Sequence, residues 1–456
     1  MRLFNIKTKI YKNLSLKALI ATTVITYSTG GLTEIISFKQ MTTDITFLAS
    51  DKLKGRANFS SEIDNAANYI AKRFADIGLK PFIGTTAIKQ SNTTPALFLQ
   101  RFSVSQIQPQ LLTVSLNNKS INSENIAIAS TMDKVIWQTD QVQTHFIGKD
   151  DNMSATLRKL NQQGGQHLVI INRAHEKSFK GYQGYFNSGL TKLSLEHRGA
   201  IVIVLADVNS IKNYNVNATV KITSQALTNV VGVLPGTQKA DEIILYSAHY
   251  DHLGTTPDGK EIYNGADDDA SGTTAVLNLA QYYAQKANNQ RTIIFSAFTG
   301  EEIGGFGSKY FSQQLNPDNV IAMINIEMIG KPSKFGAGKL WMTGMERSNL
   351  GPLLNAKLTS IQTKIHSDPY PEQGLFYRSD NATLAHLGVP AHSFSSTQLD
   401  NDPHYHQISD DISSLDLNSM HKVIESLAIA TQPLVDGDVT PTRVDKSTLK
   451  VSGKIY

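Results

Sequence analysis

The side chains best suited to chemistry lie in five short segments between residues 248 and 411. In the first, His249 is followed two residues later by Asp251, on the same side of an extended chain. A metal-binding imidazole usually donates its other ring N–H to a carboxylate, so this spacing favours a ligand His249 that is oriented by Asp251. Taken alone, the segment leaves two alternatives open: His252 as the ligand, or a histidine with structural hydrogen bonds only.

The next three segments are acidic. The run Asp267-Asp268-Asp269 precedes a predicted helix; one carboxylate is enough to cap a helix, whereas three adjacent ones repel each other unless a cation lies nearby. The pair Glu301-Glu302 follows an apolar run, and a helix start is its ordinary alternative. Glu327 stands inside the apolar run 324–329, where a carboxylate is nearly excluded unless it binds a metal or forms a buried salt bridge.

The last segment, residues 402–411, contains His404 and His406 with flanking carboxylates, and a histidine-rich surface turn is the alternative. Together the segments offer two imidazoles, three carboxylates and one spare glutamate at the ends of successive elements. Such a set fits two zinc ions that share one carboxylate and a bridging water. An unligated glutamate within hydrogen-bond reach can take a proton from that water and deliver it to a leaving amine.

The elements that position these residues follow from the apolar pattern. Apolar runs at 243–248, 292–298 and 320–328 alternate with helical segments such as 270–287, which predicts an α/β fold with a mixed, largely parallel central sheet flanked by helices. In such sheets, sites form beyond the carboxyl ends of the strands. Upstream, residues 42–81 predict a helix on the core, with Ser61 and Asp64 as a capping pair and Gly78 as its end.

Two further regions differ from this pattern. Residues 109–224 are rich in Asn, Gln, Ser and Thr, with strand-like runs at 167–172 and 200–205, which predicts a smaller β-rich insert domain. Basic residues, an apolar stretch and small residues follow in that order within residues 1–31, which is typical of a signal peptide, although an amphipathic helix is the alternative. We therefore expect a periplasmic or secreted protein without a stable membrane span.

Composition excludes several classes of protein. The chain has 456 residues, of which 40% are apolar and 18% charged, as expected for a globular protein rather than a disordered chain or a coiled coil. The net charge is only +4 and the basic residues are scattered, so no nucleic-acid partner is expected. Cysteine is absent, so any metal must be held by His, Asp and Glu. The oligomeric state is left open.

These motifs resemble those of the di-zinc aminopeptidases related to aminopeptidase Y, aminopeptidase S and glutamate carboxypeptidase II. The likeness rests on the residues at 248–254, 264–272, 300–302, 326–330 and 405–411, which occur in the order of the family. A segment at 47–51 and the pair Gly55-Arg56 also resemble the start of its domain. The resemblance implies a peptidase domain formed by residues 40–108 and 225–435, with a C-terminal tail at 436–456.

The resemblance also implies roles for individual residues. It makes His249 and Glu327 ligands of one zinc ion and Glu302 and His406 ligands of the other, and it makes Asp267 the bridging ligand. Asp251 then orients His249, Glu301 is the general base and acid, Tyr405 contacts the oxyanion and Arg378 anchors the substrate. A cis peptide bond is expected between Asp267 and Asp268. The implied activity is removal of N-terminal residues from peptides by a zinc-bridging hydroxide.

Some positions depart from the family pattern, and some alternatives stay open. Glu327 stands where aspartate is common, and Asn381 stands where histidine is frequent. The insert occupies the place of a protease-associated domain, which residues 194–200 and the following apolar run resemble. The same scaffold also serves single-zinc glutaminyl cyclases and binding or receptor modules that have lost their metals. Carboxypeptidase or dipeptidase action, and the preferred N-terminal residue, are not decided by the sequence.

Overall fold

The computed structural model of the chain describes residues 35–83, 86–87, 94–208, 210–448 and 453–456. The predicted signal peptide at residues 1–31 lies outside the described residues, so that expectation stays a prediction. Within the described ranges, none of the helices has both the length and the apolar character needed to cross a bilayer.

The secondary structure alternates strands with helices after residue 234, as the apolar pattern predicts. The strands are β1 Lys80–Ile83, β2 Thr86–Ala87, β3 Leu99–Leu116, β4 Lys119–Ser120, β5 Ile126–Ser130, β6 Lys134–Gln138, β7 Gln143–Ile147, β8 Gln166–Ile171, β9 Leu190–Lys192, β10 Ala200–Leu205, β11 Tyr214–Leu234, β12 Lys239–His249, β13 Gly254–Thr255, β14 Ile262–Tyr263, β15 Arg291–Phe298, β16 Val320–Ile326, β17 Leu340–Met342, β18 Ile365–Ser367 and β19 Ala391–Ser395. The helices are α1 Phe38–Leu48, α2 Ser61–Ile77, α3 Met153–Gln163, α4 Glu176–Asn187, α5 Gly272–Lys286, α6 Phe306–Ser312, α7 Leu350–Leu358, α8 Asn381–Ala385, α9 Leu417–Ala430 and α10 Gln432–Val435.

The central sheet is mixed, with a parallel middle. Its main path runs β18-β17-β19-β16-β12-β15-β11-β1-β2. Strand β12 pairs in parallel with β15 and β16, and β16 pairs in parallel with β19, whereas β11 is antiparallel to β15. The three predicted apolar runs form β12, β15 and β16, and their side chains are almost entirely buried. The predicted fold class is confirmed.

Helix α2 shows why the N-terminal region is helical and where the sequence prediction was wrong. Its apolar residues at three- and four-residue spacing, such as Ile63 and Phe74, are buried in the core that covers one face of the sheet. The N-terminal cap is Ser60, whose hydroxyl accepts the N–H of Ile63, rather than the predicted pair Ser61 and Asp64. Gly78 ends the helix with φ +88°, as predicted. The region predicted as one helix contains both α1 and α2.

Residues 126–205 contain a second sheet with the order β5-β10-β8-β7. Helices α3 and α4 contribute Leu157, Phe179 and Phe186 to an apolar cluster on one side of it, and a second cluster around Trp137 lies on the other. The long strands β3 and β11 belong to the central sheet and pair along their length, and apolar side chains of both strands pack against the second sheet. The strand-like runs are confirmed, whereas the helices were not predicted. The division into a separate insert domain stays a prediction.

Candidate metal centre

The candidate site lies where three adjacent parallel strands end. Strand β12 ends at His249, β15 is followed by the Glu301-Glu302 turn, and β16 is followed by Glu327. Because these strands are neighbours and run in the same direction, their carboxyl ends deliver the three segments to one edge of the sheet. The turn formed by Ala266–Ser271, at the start of α5, brings the aspartate run to the same edge.

The first group of donors is centred on His249, whose side chain is fully buried. Its Nε2 lies 3.3 Å from Oδ1 of Asp268 and 3.2 Å from Oε1 of Glu327. The other oxygen of Glu327 accepts the hydroxyl of Ser379 at 2.6 Å. The predicted pairing of His249 with Glu327 is therefore present.

The second group of donors is centred on His406. Its Nε2 lies 3.2 Å from Oδ2 of Asp268 and 3.4 Å from Oε2 of Glu302. The two carboxylate oxygens of Asp268 thus face different imidazoles, one in each group. The geometry makes Asp268 the carboxylate that two ions could share.

Asp267, which the sequence analysis expected to be the bridge, lies outside both groups. Its Oδ1 accepts the N–H of Gly330 at 2.7 Å, its Oδ2 accepts the hydroxyl of Thr397 at 2.6 Å, and Lys331 lies 3.5 Å away. The cis peptide bond joins Asp268 to Asp269, not Asp267 to Asp268. The prediction was wrong by one residue because the backbone path through the turn, which the sequence does not reveal, decides which of three identical side chains faces the histidines.

Asp269 completes the aspartate run in a different way. Its Oδ1 accepts the N–H groups of Gly272 and Met328, both at 3.0 Å, and its Oδ2 accepts the N–H of His249 at 3.3 Å. It lies close enough to His249 and Glu327 to complete a metal-binding group with them. The three main-chain N–H groups that Asp269 accepts come from different segments, so its carboxylate connects β12, the start of α5 and the end of β16.

The electrostatics distinguish the three aspartates. Burial would raise the pKa of Asp268, but hydrogen bonds to His249 and His406 hold that pKa well below its ordinary value. Burial and the nearby charge of Glu327 raise the pKa of Asp269 well above its ordinary value. Burial, opposed by Lys331, raises the pKa of Asp267 to about 7. Of the three aspartates, Asp268 is the one whose pKa lies below its ordinary value.

Asp251 contacts both His249 and the backbone of the glutamate pair. Nδ1 of His249 lies 3.1 Å from the main-chain oxygen of Asp251 and 3.7 Å from its carboxylate, so the carbonyl is the nearer acceptor. The carboxylate accepts the N–H groups of Glu301 at 3.2 Å and Glu302 at 3.3 Å, and the amide of Asn58 at 2.7 Å. Asp251 therefore fixes both the first imidazole and the backbone of the glutamate pair.

The donor chemistry fits two zinc ions. Imidazole nitrogens and carboxylate oxygens are zinc ligands, and two ligands of one tetrahedral ion stand about 3.3 Å apart when each bond is about 2.0–2.1 Å long. The four separations within the two groups, 3.3, 3.2, 3.2 and 3.4 Å, match that spacing. So many carboxylates at close range also repel one another without a cation between them.

A cavity opens directly onto the two groups. The glutamate Glu301, which belongs to neither metal-binding group, lines it beside Asp268, and the predicted Tyr405 and Arg378 line it as well. The ring of Tyr405 stacks on His406 with the ring centroids 4.1 Å apart. Burial, opposed by His249, raises the pKa of Glu301 well above its ordinary value. The cavity thus places the residues with predicted catalytic and substrate-binding roles on one surface.

Sequence reasoning missed or misjudged some residues of this region. Asp268 was identified only as a neighbour of the expected bridge, and Ser379 was given no role. His252, left open as an alternative ligand, lies close enough to Asp268 and Glu302 for the three to hold a metal ion. Asn381 does not face the cavity; it is fully buried and its amide donates to the carbonyls of Phe376 and Ala391.

The part of the chain that carries the candidate site is similar to known proteins. Residues 229–431 match the sequence profile of the family described as Peptidase family M28. A "Probable zinc metalloprotease" of Pyrenophora teres f. teres is 31% identical over 183 residues, which cover 40% of this chain and 38% of that protein. A "Probable leucine aminopeptidase" of Arthroderma otae is 30% identical over 201 residues, 42% of this chain and 53% of that protein. The chain thus spans about half or less of the length of these relatives.

Two solved structures share the fold. An aminopeptidase from Aneurinibacillus sp. strain AM-1 superposes with a TM-score of 0.53 at 18% identity, covering 92% of this chain and 97% of that one. BSAP, a zinc aminopeptidase from Bacillus subtilis, superposes with a TM-score of 0.53 at 16% identity, covering 91% of this chain and 97% of that one. At these identities the likeness concerns the fold.

Proposed function

We propose that the protein, whose residues 229–431 match the profile of peptidase family M28, is a zinc-dependent aminopeptidase that removes N-terminal residues from peptides. His249 and Glu327 would hold one ion, His406 and Glu302 would hold the other, and Asp268 would be available to both. When bound, zinc supplies polarisation of the scissile carbonyl and a water acidic enough to attack near neutral pH.

The observation that carries this proposal is the position of Asp268 between two imidazoles. Each imidazole lies 3.2–3.3 Å from a different oxygen of that carboxylate. A single-zinc enzyme of the glutaminyl cyclase type needs only one such group, and a binding module needs neither. The presence of two complete groups favours a two-ion hydrolase over both alternatives.

Glu301 is the proposed general base and acid. It lines the cavity next to Asp268, and the carboxylate of Asp251 holds its main-chain N–H at 3.2 Å. This placement leaves its side chain to accept a proton from the attacking water and to return that proton to the leaving amine nitrogen. Tyr405, on the same cavity wall, is placed to donate a hydrogen bond from its phenol hydroxyl to the developing oxyanion.

The remaining cavity wall supports a substrate with an apolar N-terminal side chain. Trp341, Leu375 and Leu399 line the cavity and pack together in one apolar cluster. Arg378 lines the same cavity, where its guanidinium can donate hydrogen bonds to a carbonyl or carboxylate of the peptide. The name of the leucine aminopeptidase relative agrees with this preference.

The test is a panel of matched peptides with free and acetylated N-termini, assayed with purified protein before and after chelation. We expect hydrolysis of the free peptides only, loss of that hydrolysis on chelation, and its return with added zinc. Release of C-terminal residues, or equal hydrolysis of acetylated peptides, would contradict the assignment as an aminopeptidase. Hydrolysis that survives complete removal of metal would contradict the proposed chemistry.

A further inference from the structure

A third histidine stands beside the second group of donors. His252 follows β12 by three residues, and its side chain is buried, with 2% of the residue exposed. Its Nδ1 lies 2.7 Å from Oε1 of Glu302. Among the described residues, no hydrogen-bond partner faces its Nε2. The ring therefore has one polar contact, and that contact is to a proposed zinc ligand.

The distances decide between two roles for this ring. Two donors of one tetrahedral zinc ion stand about 3.3 Å apart, whereas a charge-assisted N–H···O bond has its heavy atoms about 2.7–2.9 Å apart. The 2.7 Å separation between Nδ1 and Glu302 is that of a hydrogen bond, and Asp268 is 4.0 Å from the same nitrogen. Oε2 of Glu302, not Oε1, is the oxygen that faces His406.

We propose that His252 is a positioning residue that donates its Nδ1–H to Oε1 of Glu302 and thereby aims Oε2 at the second metal position. A carboxylate oxygen can only accept, so the proton of this bond resides on Nδ1. The bond fixes the rotation of the Glu302 carboxylate. This inference rests on the proposed function for its metal, although it concerns the geometry of Glu302.

The surroundings hold the ring in this orientation. The N–H of His252 donates to the carbonyl of Arg56 at 3.2 Å, which fixes its backbone. Gly265 lies against the ring face, where an added Cβ would stand 2.5 Å from two ring carbons. Gly265 also has φ +56°, so both space and backbone favour glycine there. The ring therefore cannot turn toward another partner without moving this turn.

The two liganding glutamates are held by different donors. Glu327 accepts a hydroxyl from Ser379, while Glu302 accepts an imidazole N–H from His252. Partners behind metal ligands commonly change metal affinity by about 10- to 100-fold when they are removed. Loss of His252 should therefore weaken the binding of one of the two ions and leave the binding of the other unchanged.

Three variants test this role. His252→Asn places an amide N–H where Nδ1 lies, His252→Gln places it where Nε2 lies, and His252→Leu has no donor. Zinc affinities are measured by competition with a chromogenic chelator, and the second site is also filled with Co²⁺ to record its visible spectrum. We expect one of the two affinities to fall by about 10- to 100-fold in the Gln and Leu variants. The Asn variant should stay within about threefold of wild type and keep the wild-type cobalt spectrum.

Several results would overturn the proposal. If the Asn variant loses affinity as the Gln variant does and its cobalt bands shift, the ring is itself a ligand. If all three variants bind both ions as tightly as wild type, the hydrogen bond has no role in positioning. The Asn and Gln comparison remains decisive if the Leu variant does not fold. Because the readout is metal binding, failure of the proposed peptidase activity would appear separately, as intact binding without hydrolysis.

Discussion

The ammonium group of Lys331 lies 2.9 Å from a carboxylate oxygen of Asp402. The same ammonium group lies 3.5 Å from both Asp267 and Asp410, and the carboxylate of Asp410 accepts the main-chain N–H groups of Asp267 and Asp268. One buried cation thus joins the chain after Glu327, the aspartate turn and the loop that carries His406. The carboxylate that resembled a bridging ligand in the sequence belongs to this structural cluster.

Replacing Lys331 by Met should destabilise the fold strongly. The change leaves three buried carboxylates without their cation, and breaking a buried ion pair from one side costs about 3–5 kcal/mol. We expect a loss of about 3 kcal/mol in the free energy of unfolding, measured by urea denaturation of the metal-free protein. The matched control is Lys260→Met, because the Lys260 side chain is 80% exposed and, within the described part of the chain, its ion pair is with Asp258 at the surface. Equal stability of the two variants would contradict this role.

The aspartate run offers a direct comparison between neighbours. Asp268→Asn removes the carboxylate that faces both imidazoles, so we expect the purified variant to retain less than one zinc ion per chain. Asp267→Asn alters contacts with Lys331, Gly330 and Thr397 that lie outside both groups of donors, so this variant should still bind two ions, with reduced stability. Zinc is counted by atomic absorption after equilibration at a fixed free zinc concentration. The opposite pattern would restore Asp267 as the bridge and refute the shared carboxylate.

Glu301→Gln tests the proton-transfer role without changing the size of the side chain. Glu301 lies in neither metal-binding group, so the variant should bind both ions as wild type does. Turnover should fall by a factor of about 10² to 10⁴, since that is the contribution of a positioned general acid–base group. The neighbouring Glu302→Gln variant should instead lose affinity for one ion. Near-normal turnover in Glu301→Gln would remove this residue from the mechanism.

The sequence predicted the parts of the site that depend on residue type and strand order. His249, Glu302 and Glu327 lie at or just after the ends of β12, β15 and β16, which apolar runs locate well, and His406 joins them from the loop after β19. The sequence did not show which of two adjacent residues of the same type faces the site, as with Asp267 and Asp268. The hydroxyl cap at Ser60 rather than Ser61 is the same kind of error.

Long-range pairing was the other feature that the sequence did not reveal. Strands β3 and β11 are mostly polar or half-buried on one face, and apart from residues 230–234 their apolar residues do not form the continuous runs that mark β12 or β15. Their pairing joins residues more than one hundred positions apart, such as Leu99 with Val230. A local pattern carries no information on such a partner, because cross-strand contacts decide it.

A buried histidine away from the metal centre should make stability depend on pH. Nδ1 of His392 lies 2.8 Å from the carbonyl of Thr343 and Nε2 lies 2.8 Å from the hydroxyl of Ser348, which suits a neutral ring. Burial, opposed by the Thr343 carbonyl, lowers the pKa of His392 to about 4 from 6.5. Between pH 4 and pH 6.5, the imidazole of His392 is therefore protonated in the unfolded chain and neutral in the folded chain.

The sign of this effect is fixed by that order of pKa values. The contribution of neutral His392 to the free energy of unfolding is complete above pH 6.5 and is lost as the pH falls towards 4. The free energy of unfolding of wild type should therefore fall by about 2 kcal/mol between pH 7 and pH 5 because of this group. His392→Asn keeps a donor for Thr343 and cannot titrate. Urea unfolding at pH 7 and pH 5 should therefore show a smaller loss in the variant than in wild type, by about that amount. Parallel losses in both proteins would show that other groups carry the pH dependence.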